Sequence, residues 1–137
     1  MKATGTFSVA SFVPAEVSPQ PAITTALPVG IATIEKIFEG DIAGRSATLF
    51  TSAFDHAAGT GSYVAMESFE GTVDGRAGTF NFLHSATTSG ADRSDPFFLI
   101  VPNSGTGELT GITGTGDITV DAEGTHHIWF DYELGTA

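Results

Sequence analysis

The chain has 137 residues, a formal net charge of −11 and no cysteine. A chain of that length forms about one domain, and its 41% hydrophobic residues, with eleven Phe among the aromatics, can build a core. Five basic residues against sixteen acidic ones argue against nucleic acid and anionic membrane surfaces, which need clustered Lys and Arg. The lack of cysteine removes disulfides, thiolate metal sites and a Cys nucleophile.

In chain order, residues 3–12 (ATGTFSVASF) alternate as a strand does, and the segment lacks the unbroken apolar run of a signal peptide. The longest apolar run, Phe97 to Val101, is far too short to span a bilayer. The expectation is a cytoplasmic protein with no membrane partner. Four of the six prolines fall within residues 13–28, which predicts a long loop there.

A repeat follows. Residues 40–48 (GDIAGRSAT), 71–79 (GTVDGRAGT) and 107–115 (GELTGITGT) share the pattern Gly-x-(Ile/Val/Leu)-x-Gly-x-x-(Ala/Gly)-Thr. The pairs Ala43-Gly44, Asp74-Gly75 and Thr110-Gly111 suit two-residue hairpin turns, Asp-Gly most of all because both turn positions need positive φ. Glycine-rich residues 104–118 resemble a phosphate loop, but the β-branched sequence after them gives no helix to aim amides at a phosphate. Three hairpins of one design are the reading. Residues 125–134 (THHIWFDYEL) end the pattern as a strand whose apolar face is Ile128, Phe130, Tyr132 and Leu134.

No segment carries a helical stripe, and a small domain of about eight or nine strands favours a closed antiparallel barrel over a sandwich. The expectation is one all-β barrel domain over residues 1–137, built on repeated hairpins.

A turn fixes register, and register decides which face is buried. A turn at Asp74-Gly75 sets Phe69 opposite Phe80, Glu67 opposite Phe82 and Ala65 opposite His84. A turn at Ala43-Gly44 sets Phe38 opposite Leu49 and Lys36 opposite Thr51. The predicted inner face then holds Ile34, Lys36, Phe38, Leu49, Ala53, Tyr63, Ala65, Glu67, Phe69, Phe80, Phe82, His84, Val101, Asn103, Ile118 and Val120. Ile37, Phe50, Met66, Leu83 and Trp129 face outward, as a homo-oligomer interface would require.

A buried carboxylate needs partners, so Glu67 requires His84, Lys36 or an internal water. One reading makes these residues a satisfied network that fixes strand register. The other makes Glu67 and His84 an acid–base pair on a cavity, with Lys36, Tyr63, Asn103, Tyr132, Phe69, Phe80 and Phe82 as ligand-binding residues. His126 and His127 are strand neighbours that point to opposite faces, so no metal site is expected, and no cofactor is implied. No Ser sits in a Gly-x-Ser-x-Gly elbow.

Residues 63–87 (YVAMESFEGTVDGRAGTFNFLHSAT), residues 101–118 (VPNSGTGELTGITGTGDI), the opening KATGTFSV and the closing FDYEL resemble the bacterial family known as domain of unknown function 3224. The resemblance spans nearly the whole chain; the proline-rich segment departs from it. It implies a small barrel similar to allene oxide cyclase and dirigent proteins, with a lipocalin-like barrel as second choice, and often a homo-oligomer. It carries no activity and no catalytic residues. Three functions stay open at this point: binding of a small, mainly apolar molecule; a cofactor-free cyclase or isomerase using Glu67 and His84; and a structural or interaction barrel with a filled core.

Overall fold

A computed structural model of the protein describes residues 1–135. Its strands are β1 (Lys2–Ala15), β2 (Val29–Gly40), β3 (Ile42–Asp55), β4 (Thr60–Val73), β5 (Arg76–Ser89), β6 (Asp92–Ile100), β7 (Thr113–Val120) and β8 (His126–Glu133). Each pairs antiparallel with the next, and β8 returns to pair with β1 from Lys2↔Asp131 to Phe7↔His126, so the eight strands form a ring sheet. The narrowest joint is β6–β7, where Ile100 faces Gly114. One 3-10 turn, Gly107–Leu109, is the sole helical element among the described residues. No helix there is long and apolar enough to cross a membrane.

Strict alternation explains the strands. On β4, Tyr63, Ala65, Glu67 and Phe69 are buried while Val64, Met66, Ser68 and Glu70 are exposed. Asp74 and Gly75 both have positive φ (50° and 79°), the mirror-image turn that matches strand twist, and the β4–β5 register is as expected: Phe69↔Phe80, Glu67↔Phe82, Ala65↔His84.

The other two turns differ from expectation. β2 and β3 turn around Asp41, so Phe38 pairs with Gly44 and Lys36 with Ser46. Gly44 lies inside β3 opposite Gly71, where a Cβ would stand 2.2 Å from the Glu70 carbonyl oxygen. This glycine serves close strand approach rather than a turn. The change of register has the opposite parity and exchanges the two faces of β3. Leu49 is exposed and Ala53 half-buried, while Ser46, Thr48 and Phe50 turn inward.

Nor do Thr110 and Gly111 make a two-residue turn. They follow the 3-10 turn in the connection 101–112, which buries Leu109 and Ile112 as a plug and hydrogen-bonds Thr106 Oγ1 to Thr79 Oγ1 at 2.6 Å. Asn103 is exposed on this connection, not inside the ring. The proline-rich loop starts at residue 16, because β1 continues through Pro14 to Ala15.

The interior is layered. At the end that carries the Asp74-Gly75 turn, Ile42, Val73, Leu109, Ile112 and Tyr132 are buried. Above them Phe7, Phe38, Phe69, Phe80, Phe82, Phe98 and Phe130 pack ring to ring at centroid distances of 5.1–6.0 Å. On the outer face, Leu49, Met66, Leu83 and Leu99 line up across β3, β4, β5 and β6 in one cross-strand row.

Candidate functional site

Above the phenylalanine layer the interior turns polar. The buried polar and charged side chains among the described residues are Lys36, Ser46, Thr48, Glu67 and His84, all on β2 to β5. Glu67 is fully buried at the centre. Its Oε2 accepts a hydrogen bond from Lys36 Nζ at 2.6 Å and one from the His84 Nε2–H. Its Oε1 accepts from Ser46 Oγ at 2.7 Å. On the far side of the imidazole, the Tyr63 hydroxyl donates to Nδ1 at 2.7 Å and itself accepts from Arg93 Nη2 at 2.7 Å. The result is a continuous chain, Arg93–Tyr63–His84–Glu67–Lys36.

Its protonation follows from its surroundings. Burial alone would push the Glu67 carboxyl up, but the hydrogen bond from His84 and the charge and hydrogen bond of Lys36 prevail and hold it at about 2. Burial lowers the His84 pKa against the opposing pull of Glu67, which favours the neutral imidazole, with its proton on Nε2 toward Glu67 and the Nδ1 lone pair accepting from Tyr63. Burial raises the Tyr63 phenol despite Arg93 beside it. Such a chain can move one proton: if Tyr63 passes its proton to His84, the imidazolium lies between phenolate and carboxylate, and Arg93 faces the phenolate.

A cavity of about 280 Å³ opens above the chain, with Lys36, Tyr63, His84, Arg93 and His126 as its polar lining and Phe7, Ile34 and Phe50 among its apolar walls. A second cavity of about 440 Å³ adjoins it, sharing Phe12, Phe50, Tyr63 and Thr88 and extending past Ile31, Ala32 and Phe54. Phe50 stacks on Tyr63 with ring centroids 5.0 Å apart. Two concavities of about 470 and 510 Å³ lie on the flanks, edged by Glu35, Arg45 and Glu70 in one and by Ser8, Ile37 and Glu39 in the other. Neither reaches Glu67 or His84.

The structure brings Glu67, His84, Lys36 and Tyr63 into contact, with Phe82 stacked beneath His84 at 6.1 Å. Phe69 and Phe80 belong to the filled layer below. Tyr132 is buried but remote: its hydroxyl donates to Asp74 Oδ2 at 2.5 Å at the opposite end, and burial together with Asp74 pushes the phenol up to about 12.

Sequence reasoning passed over Ser46 and Arg93. The inverted parity of β3 hid Ser46. Arg93 was legible from Gly90-Ala91 as a two-residue turn, which sets it opposite Thr88 on the inward parity of β5. The histidine pair is split by the strand alternation: His126 stacks on Phe7 at 4.9 Å, whereas His127 Nε2 binds Asp121 outside at 2.8 Å.

The fold and this geometry define a class: a small all-β ring protein with a buried carboxylate–imidazole–phenol chain under an open end. The chain belongs to the family described as Protein of unknown function (DUF3224), which it matches over residues 3–132. It is similar to the crystal structure of a protein with unknown function from the DUF3224 family of Shewanella oneidensis MR-1. The identity is 30%, the match covers 99% of this chain and 98% of that one, and the TM-score is 0.82. A comparison with curated proteins found no match.

Proposed function

We propose that the ring is a closed barrel of the allene oxide cyclase-like type that binds a small, mainly apolar molecule at its open end. One observation carries this reading: the interior is filled on one side of the polar chain and open on the other. Stacked Phe side chains and the Leu109–Ile112 plug close one end. The two adjoining cavities occupy the other, and their sizes suit a small ligand that would keep most of its surface out of water. Native mass spectrometry of the purified protein tests this. The expected result is a one-to-one adduct with added decanol that collisional heating releases. Bare protein at saturating decanol would leave the filled structural barrel as the correct reading.

A second reading, a cofactor-free isomerase or cyclase, is favoured by the chain ending at the cavity. Here the Tyr63 phenolate oxygen takes a proton from the bound molecule as the Tyr63 proton passes to His84 Nδ1. Return of the proton to a different atom of the ligand completes an isomerisation, with no net proton gained or lost. Glu67 then acts as a positioning residue that holds the imidazolium rather than as the base itself. Tyr63→Phe should lower any turnover by about a hundredfold or more while leaving binding of the same compound nearly intact. Unchanged turnover contradicts the acid–base role.

The outer row of Leu49, Met66, Leu83 and Leu99 supports self-association of the protein through that face.

A further inference from the structure

We infer that the ligand is an organic anion: an apolar body bearing one carboxylate, bound with its head on Arg93 and its body in the adjoining apolar cavity. This deepens the binding reading above and rests on it. Charge is segregated within the molecule. The chain carries sixteen acidic residues and five basic ones, yet among the described residues no Asp or Glu lines either of the two adjoining cavities, whereas Lys36 and Arg93 line the inner one. Glu67 lies beneath the cavity floor, already occupied by Lys36, Ser46 and His84.

The floor is therefore net positive: Lys36 is balanced by Glu67, and Arg93 has no carboxylate partner among the described residues. Arg93 uses Nη2 on the Tyr63 hydroxyl, and its Nε is buried without an acceptor. A buried guanidinium donor left unpaired is costly, and a carboxylate is the acceptor whose shape matches the guanidinium fork. His126, on the same wall, offers a further ring nitrogen. The body of the ligand then runs outward along Phe12, Phe50, Phe54 and Ile31, where the lining is apolar apart from small hydroxyl groups and His56.

The test is calorimetric titration of the whole protein with decanoate, decanol and acetate, repeated on Arg93→Gln and Arg93→Lys. Decanoate should bind at least about tenfold more tightly than decanol, and Arg93→Gln should remove that advantage while leaving decanol unchanged. Arg93→Lys should keep part of the advantage, and acetate should bind weakly because it lacks the apolar body. Equal affinity for decanoate and decanol in the wild type overturns the anionic head while sparing the apolar site. Binding of neither overturns the site itself. A decanoate preference that survives Arg93→Gln places the head elsewhere and refutes the assignment. Thermal unfolding of both variants shows that they are folded, and the wild-type comparison decides the matter even where one is not.

Discussion

Replacing Glu67 by Gln changes little in shape and much in charge. In the native protein the carboxylate is fully buried, accepts from Lys36 and Ser46, and pairs with His84. The substitution strands the Lys36 ammonium, itself only 5% exposed, beside an uncharged amide. Breaking a buried pair from one side costs about 3–5 kcal/mol. Unfolding entropy of about 2.1 cal/mol/K per residue amounts to about 0.29 kcal/mol/K over 137 residues. The expected fall in Tm is therefore about 10–17 °C. Adding Lys36→Met removes the stranded charge, so the double variant should recover at least half of the loss. Urea denaturation followed by circular dichroism supplies the double-mutant cycle, with an expected coupling of at least about 2 kcal/mol. Losses that simply add, to within about 0.5 kcal/mol, would falsify the claim that Glu67 and Lys36 stabilise each other.

Three further outcomes are expected. The folded protein holds His84 below 6.5 and Glu67 below 4.5, so the unfolded chain binds more protons over the acid range. Their stabilisation is complete above the ordinary His value and is lost as pH falls, first through His84 and then as Glu67 protonates toward about 2; a Tm flat between neutral pH and pH 3 would contradict this. Gly71→Ala sets a Cβ 2.0 Å from the Ala43 carbonyl oxygen at a φ of 155°, and should cost well over about 1 kcal/mol in chemical denaturation, where a neutral result would sink the close-approach explanation. Leu83→Glu, at the middle of the outer apolar row, should shift sedimentation toward a smaller species without lowering Tm by more than a few degrees; an unchanged sedimentation profile argues against that face as the contact.

How far the sequence carried depended on what each glycine was for. Asp74-Gly75 needs left-handed backbone at both positions, and that local requirement gave the β4–β5 register and with it the pairing of Glu67 and His84 across one face. Gly44 fits the same repeat pattern but exists because the Gly71 backbone passes too close for a Cβ. That is a tertiary requirement, invisible in local sequence, and taking it for a turn inverted β3, hid Ser46 and set Phe50 outside. Lys36 escaped the error because it lies on β2, whose alternation is fixed by Ile34 and Phe38. The third copy misled differently: Gly78 and Gly105 leave room for the backbone of the 101–112 connection, which seals the ring with Leu109 and Ile112 instead of turning tightly. Asn103 left the interior for that reason. The hollow end was not legible either, because whether aromatic side chains fill a ring depends on how eight strands place them relative to one another.

The central claim is that the end of the ring above Glu67 and His84 receives a ligand while the other end is solid. Amide chemical-shift mapping of the wild-type protein during titration with decanoate tests it most directly. Saturable one-to-one shifts concentrated at Phe12, Phe50, Tyr63 and Arg93, with Phe69, Phe80 and Phe130 unmoved, are the result this structure predicts. Shifts centred on the outer residues Leu49, Met66 and Leu83, or none at saturation, would contradict it.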